Sequence, residues 1–354
     1  MIKSTIVKPS IAWLTVNRKC NFRCQWCYAE GKQYSTKDEM SIEMAKEFVD
    51  ILHSLKVQTI IIIGGEPTLW PHLAELNRYC RKRNIKTSLV TNAARFGDDC
   101  YWERYLQNPC DLVGISIKGG TPQQLLKIAR VRNFETVKKG ILRAIEHYKT
   151  GVSTVYSTLI ETSLIEITKF AHACNARFLK LEFCSTVFSE GKPLGRFMVE
   201  PKSVVRNIIR DYPALEKLMG SEVSFEMNMP FCLWPESFIK QLVENGQIFS
   251  VCHIYKRSGI IFDVDGRIIV CNGLFDYPIG QLGVDFTGHK SLVEYINQPK
   301  INAYYDQLSR MPTQSCISCK WYSSCGGGCP LNWAIYNPVD LIKPIEIKGG
   351  DCNG

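Results

Sequence analysis

No stretch of this chain is apolar enough to cross a membrane, since its longest aliphatic run is Ile60 to Ile63 and a span needs about 20 residues. No N-terminal segment joins a positive start to an unbroken apolar run, so a secretory signal is not expected. Charge of one sign is not concentrated either. The formal net charge is +9, but the basic residues are scattered, and their only dense run, Arg78, Arg81, Lys82 and Arg83, reads as a solvated helix face. No internal repeat or low-complexity tract is present. These absences predict a soluble, cytoplasmic protein with no membrane and no nucleic acid among its partners, although a general positive field favours an acidic one, including an acidic peptide. With 354 residues, 45% of them hydrophobic, the chain can build one barrel-sized domain and a smaller one.

What the chain does have is sixteen cysteines, and a reducing cytosol turns clustered cysteines toward metal rather than disulfides. Ten of them fall into two arrangements. The first is Cys20-x3-Cys24-x2-Cys27; the second is Cys252, Cys271, Cys316-x2-Cys319-x5-Cys325-x3-Cys329 and then Cys352. Three thiolates on a cluster of four irons leave one iron free to bind something that is not protein. A zinc site, or three unrelated core cysteines, is the alternative; zinc needs a fourth ligand close by and usually shows two C-x2-C pairs.

From Ile11 to Phe183 short β-rich runs alternate with amphipathic stretches, the pattern of βα units around a parallel sheet. Strands are expected near 11–17, 58–63, 86–91, 112–117, 152–159 and 178–183, and helices near 40–55, 71–83, 100–107, 134–148 and 163–174. Six units are too few for a closed eight-stranded barrel, so the predicted fold is α/β, a partial (β/α)6 TIM-type barrel with an open side. Residues 184–251 interrupt the rhythm with Gly191, Pro193, Pro201, Pro213 and Pro230 and read as a bridge of short helical pieces. Gly259 to Val270 reads as a hairpin turning at Asp263 to Gly266. The remainder is turn-rich, cysteine-rich and too poor in apolar periodicity to fold without metal.

The first cysteine loop leaves the C-terminal end of the first strand, where barrel active sites form, with Trp26 before its last cysteine. That motif resembles the radical S-adenosylmethionine (SAM) superfamily. Three more matches, each at a predicted strand end, support the resemblance: Gly64-Gly65-Glu66-Pro67, Thr91-Asn92 and Ser116. The resemblance implies that Cys20, Cys24 and Cys27 hold a 4Fe-4S cluster whose open iron is chelated by SAM. It also implies that Gly64, Gly65 and Glu66 face the methionine amino group, and that Thr91, Asn92 and Ser116 contact ribose and carboxylate. Glycines there let backbone approach a ligand without an intervening Cβ. Reductive cleavage of the sulfonium then gives a 5′-deoxyadenosyl radical that abstracts a substrate hydrogen atom, with the protein supplying orientation.

The later cysteines resemble the SPASM extension of the same superfamily, which divides the chain into a barrel (1–183), a bridge (184–251) and a SPASM domain (252–354). Two auxiliary 4Fe-4S clusters are implied, making three in all. Cys252, Cys271 and Cys329 match ligands of the first auxiliary cluster, and Cys316, Cys319, Cys325 and Cys352 match the second. Seven cysteines for eight positions leave the first one short: some relatives add a cysteine between the first SPASM cysteine and the glycine, whereas this segment has none and Ser258 stands in that region. Cys232 could close that cluster from the bridge, or be a buried, inert cysteine. Cys80, Cys100, Cys110, Cys174 and Cys184 read as small core residues.

Two departures bear on activity. Sulfatase-maturing relatives place an aspartate base after the cysteine matching Cys271, where this chain has Asn272, and the strand-four motif here carries Lys118 at a familiar acidic position. The reading that results is an enzyme modifying a ribosomally made precursor peptide, supplied by an electron donor such as flavodoxin or ferredoxin. Only nineteen residues precede Cys20, so a separate leader-binding helper acting in trans is expected. The alternatives are a SPASM enzyme acting on a small molecule or tetrapyrrole, and a non-catalytic iron-sulfur or zinc-binding protein. No catalytic acid or base is assigned.

Overall fold

The computed structural model describes residues 7–29, 38–249 and 252–338; Cys352 lies outside them. Strand β1 (Ile11–Thr15) is followed by α1 (Ile42–Ser54), whose entry is fixed by Ser41 accepting a hydrogen bond from the Met44 amide and whose buried stripe is Ala45, Phe48, Val49 and Leu52. Serine at this position satisfies one of the four orphan amides of a helix start, and the stripe follows the helical period. The alternation continues through β2 (Thr59–Ile63), α2 (Leu73–Arg81), β3 (Lys86–Thr91), α3 (Asp99–Leu106) and β4 (Leu112–Ser116). Then come α4 (Pro122–Ala129), α5 (Phe134–Tyr148), β5 (Val152–Tyr156), α6 (Leu164–Ala173) and β6 (Leu179–Phe183). The six strands pair in parallel in chain order. In Thr59–Ile63 every second residue is buried, the period of two that a strand imposes on its side chains.

The sheet does not stop at six strands. After the small hairpin β7 (Val187–Ser189) and β8 (Lys192–Leu194), α7 (Pro201–Met219) crosses over to β9 (Val223–Glu226), which pairs in parallel with β6. The bridge is therefore not a set of short helical pieces: it holds a 19-residue helix. Pro201 sits in the first turn, where its missing N–H is harmless, and Glu200 caps the amides of Lys202 and Ser203. Pro213 removes one bond from the helix interior, but the buried stripe Val204, Ile208, Tyr212 and Leu215 holds the helix against that loss. Helix α8 (Glu236–Glu244) and β10 (Ile248–Phe249), parallel to β9, complete this edge.

At the other edge, following the short α9 (His253–Lys256), β11 (Gly259–Phe262) lies parallel to β1, with Trp13 opposite Ile261 and Leu14 opposite Phe262. It turns back through the expected hairpin into β12 (Arg267–Ile269), and β13 (Gly280–Gln281) follows. Gly266 takes φ +86° in that turn, a conformation glycine adopts without strain. The eleven strands form one sheet in the order β10-β9-β6-β5-β4-β3-β2-β1-β11-β12-β13. Its two ends do not pair among the described residues, so the barrel is open.

Helices α10 (His289–Ile296), α11 (Pro299–Leu308) and α12 (Tyr322–Cys325) finish the chain's described part. This region is poor in local apolar periodicity, yet it carries apolar packing. Ile254, Val270, Leu274, Tyr295, Ile301, Tyr305 and Leu331 form an apolar cluster of their own. Its members are spread over six elements and loops, so no local period announces it. No described helix is long and apolar enough to cross a membrane.

Candidate functional site

Cys20, Cys24 and Cys27 lie on the loop leaving β1, and that loop is held on both sides by backbone. On one side the Gly65 amide donates to the Asn17 carbonyl (2.8 Å), the Glu66 amide to the Lys19 carbonyl (2.8 Å), and Asn17 Nδ2 to the Glu66 carbonyl (3.0 Å). On the other, the amides of Arg23 and Gln25 donate to the carbonyls of Ala129 and Ile128 at the end of α4, at 2.9 and 3.0 Å. The three thiols are thus suspended between the end of β2 and α4. Cys24 is buried and the other two are half-buried. Burial pushes the Cys20 thiol up to about 12, opposed by a hydrogen bond from the Phe22 amide and reinforced by Glu66, Cys24 and Cys27.

The Gly-Gly-Glu-Pro turn has a structural reason for each glycine. A Cβ on Gly64 would come within 2.5 Å of Asn17 Oδ1, and one on Gly65 within 2.4 Å of the Lys19 carbonyl oxygen. What these glycines admit is the backbone leading into Cys20. Glu66 is buried, and its carboxylate accepts from the Thr68 amide (3.1 Å) and hydroxyl (2.7 Å), the Thr91 hydroxyl (2.7 Å) and the Asn92 amide (2.9 Å). Asn92 in turn donates from Nδ2 to Asn21 Oδ1 at 2.8 Å. The motif residues Glu66, Thr91 and Asn92 therefore form one network that ends on the cysteine loop. Ser116, at the end of β4, accepts a 2.6 Å hydrogen bond from Lys118 Nζ, and that ammonium lies 6.0 Å from the centre of the Trp26 ring. The basic residue at the familiar acidic position thus links the last two expected site residues.

The C-terminal cysteines gather in two further groups. Cys329 is pushed up to about 12 by burial and then by the negative charge of Cys271 and Cys252, which puts these three thiols within electrostatic reach of one another. The Cys252 thiol, raised by burial, is drawn back by the amides of Tyr255 and Ile254. Cys271 Sγ accepts from the Gly273 amide at 3.4 Å. Ser258 is engaged by His253 Nδ1 at 3.0 Å. In the other group, Cys325 Sγ accepts from the Phe231 amide at 3.3 Å, and burial raises its thiol against that bond, with Cys319 and Cys316 adding to the rise. Cys232 does not join Cys252, Cys271 and Cys329: the thiols that act on it are Cys325, Cys316 and Cys319. Nor is it buried; it is exposed, as is Cys100, whereas Cys80, Cys110 and Cys174 are core residues and Cys184 is half-buried.

The donor chemistry fits iron-sulfur clusters. Each group has a sulfur accepting a backbone N–H, the interaction that stabilises cluster thiolates and tunes their potential. Among the described residues no three His, Cys, Asp or Glu side chains converge tightly enough to hold a single metal ion, and a cubane holds its thiolates at separate corners rather than around one ion.

Two long-range contacts were not foreseen from the sequence. Arg18, two residues before Cys20, makes a buried ion pair with Asp263 in the hairpin turn. Asn228 donates to the Phe183 carbonyl (2.8 Å) and Ser185 Oγ (2.6 Å) while its own carbonyl accepts from the Cys329 amide (2.7 Å). Asn228 thereby fastens the cysteine-rich segment to the end of β6. A charged residue beside a cysteine motif is the one signal that could have marked Arg18.

The open parallel barrel carries its three-cysteine loop at the C-terminal end of its first strand. Residues 14–173 match the family model described as Radical SAM superfamily, and the chain carries a radical SAM domain over that span. Among solved structures it is similar to native anSMEcpe with bound AdoMet, with TM-score 0.68, 18% identity and coverage of 94% of this chain and 96% of that one. It is also similar to Streptococcus suis SuiB bound to S-adenosylmethionine, with TM-score 0.67, 18% identity and coverage of 94% and 76%. At such identities the likeness establishes the fold. By sequence it is similar to Fe-coproporphyrin III synthase of Methanosarcina barkeri, 31% identical over 32% of this chain, and to a probable GTP 3′,8-cyclase of Methanococcus maripaludis, 34% identical over 38%. The chain spans 28% and 44% of the length of those two relatives.

Proposed function

We propose that this radical SAM enzyme carries a C-terminal SPASM domain with two auxiliary clusters and modifies a ribosomally made precursor peptide, by forming a cross-link or excising a residue. The observation that carries the reading is the gathering of the later cysteines into two groups fastened to the barrel, in a fold shared over 94% of the chain with SuiB, which has been solved with its precursor peptide SuiA. Cys20, Cys24 and Cys27 would hold the first cluster, with Glu66, Thr91, Asn92, Ser116 and Trp26 around SAM. When bound, these groups supply reductive cleavage of SAM to a radical that removes a substrate hydrogen atom. The chain's own residues hold and orient: Glu66 ties β2 to β3, Asn92 steadies the loop through Asn21, and Lys118 sets Ser116. Asn272 follows Cys271 where a carboxylate base would be needed for sulfatase maturation, so another modification is proposed. A reduced flavodoxin or ferredoxin in the cytoplasm would supply the electron, and a leader-binding protein would act in trans.

The match to Fe-coproporphyrin III synthase favours a second reading, in which the substrate is a tetrapyrrole. One experiment separates the two. Anaerobically reconstituted enzyme is reduced and given SAM with either a candidate precursor peptide or an iron porphyrin, and 5′-deoxyadenosine and product mass are followed. The peptide reading expects peptide-dependent stimulation and a mass change in the peptide; stimulation by porphyrin alone would replace it. Replacing Cys20, Cys24 and Cys27 together by Ala should abolish SAM cleavage, and cleavage at the original rate would defeat the assignment. Omitting the helper should weaken peptide capture while slow uncoupled cleavage persists.

A further inference from the structure

Cys232 lies in a one-turn helix, Phe231–Leu233, whose other two residues are buried while it is exposed. A cysteine kept for packing would point the other way. The turn is docked against the C-terminal cysteine segment by contacts on both sides of Cys232. The Phe231 amide donates to Cys325 Sγ at 3.3 Å, and the Phe231 ring meets Trp321 edge-on at 6.2 Å. Upstream, the Asn228 carbonyl accepts from the Cys329 amide at 2.7 Å; downstream, Glu236 pairs with Lys320 at 2.6 Å. Cys316, Cys319 and Cys325 stand on one turn-rich segment, in which the Cys319 amide donates to the Cys316 carbonyl at 3.3 Å and the Cys325 amide to the Trp321 carbonyl at 2.7 Å.

A closed 4Fe-4S cluster takes four cysteine thiolates. We propose that Cys232 is a ligand of the second auxiliary cluster, taking beside Cys316, Cys319 and Cys325 the fourth place that the resemblance gives to Cys352. The spacing of the C-terminal motif cannot reveal this ligand, because it comes from a turn 84 residues before Cys316 in the chain. On loading, each thiol gives up its proton to solvent as it ligates iron. The assignment leaves Cys252, Cys271 and Cys329 as a three-thiolate group, with Ser258, in the segment where some relatives carry a further cysteine, engaged by His253.

The inference rests on the auxiliary clusters of the proposed function, and its test separates the two. The full chain with Cys20, Cys24 and Cys27 replaced by Ala is reconstituted anaerobically so that only auxiliary clusters report, and iron, sulfide and the electron paramagnetic resonance of the reduced protein are measured. About eight irons per chain are expected in this parent. Adding Cys232→Ala should remove up to about four of them or convert one cluster to a three-iron form with its own signal, while Cys232→Ser, which offers an oxygen ligand, should keep more iron and shift the signal. Because Cys232 is exposed, circular dichroism should be unchanged in both. Iron, sulfide and spectrum identical to the parent in Cys232→Ala would overturn the assignment, as would iron loss confined to Cys352→Ala. A parent without auxiliary iron would instead overturn the function reading and take this inference with it.

Discussion

At the scale of single residues, Glu66 ties two strand ends to the cysteine loop. Four donors converge on its buried carboxylate, two from Thr68 and one each from Thr91 and Asn92. Truncating such an acceptor leaves the donors unpaired in the interior, which costs about 1–3 kcal/mol for a buried group and more when the lost partner was charged. Glu66→Ala is therefore expected to destabilise the anaerobic protein by roughly 2–4 kcal/mol, read as a lower urea midpoint. Glu66→Gln should lose less, because it retains one acceptor oxygen for the threonine hydroxyls. Equal midpoints for wild type and Glu66→Ala would contradict the clamp. Lys118 shows how a departure from a family pattern is absorbed: its ammonium settles on the neighbouring Ser116 hydroxyl instead of an acidic partner.

At the scale of elements, the loop after β1 and the turn after β2 continue the sheet's ladder beyond both strands, and the two glycines make that possible. The contact is backbone against backbone, so neither side can swing away as a flexible side chain would. In Gly65→Ala the new methyl would sit 2.4 Å from the Lys19 carbonyl and 2.6 Å from that of Arg18, displacing the segment that enters Cys20. The expected result is loss of the first cluster alone, a fall of about four irons per chain, with the auxiliary signals retained. Iron analysis and the spectrum of the reduced protein check this, and full iron in Gly65→Ala would show that the loop can relocate without harm. The hairpin turn after β11 is fastened to the same loop by Arg18 and Asp263, both buried. Breaking a buried pair from one side costs about 3–5 kcal/mol, whereas replacing both partners by apolar residues can be nearly neutral. Arg18→Met or Asp263→Leu alone should thus be strongly destabilising, and the double variant should recover a large part of the loss. Additive losses in a double-mutant cycle would mean that the two residues are not coupled.

At the scale of the molecule, the C-terminal third divides by what holds it. Residues 253–308 are pinned through β11 to β1 and packed around Ile254, Val270, Leu274, Tyr295, Ile301 and Tyr305. Residues 312–338 bury little beyond Gly327, Gly328, Leu331 and Asn332, so under the proposed function cluster ligation would supply much of their stability. Chelated apo protein is expected to become protease-sensitive within 312–338 first, with 253–308 still protected in a mass-spectrometric map of the fragments. Simultaneous cleavage across both segments would show that the apolar cluster does not stand without metal.

The six barrel strands, five of the helices around them, the hairpin at 259–269 and the three-cysteine motif were legible in the sequence, because each is set by local periodicity, turn chemistry or short spacing. Helix α7 was hidden by counting Pro201 and Pro213 as breaks, although one occupies a permitted first-turn position and the other is outweighed by a buried stripe. Spacing alone suggested that cysteines matter, and the resemblance implied the groups Cys252, Cys271 and Cys329, and Cys316, Cys319, Cys325 and Cys352. Phe231 meets Cys325, Arg18 meets Asp263 and β11 meets β1 only once the sheet is assembled, since these partners are about 90 to 250 residues apart and no local pattern encodes such pairings. Residue chemistry and short-range order fixed the kind of site, and packing of distant segments decided its membership.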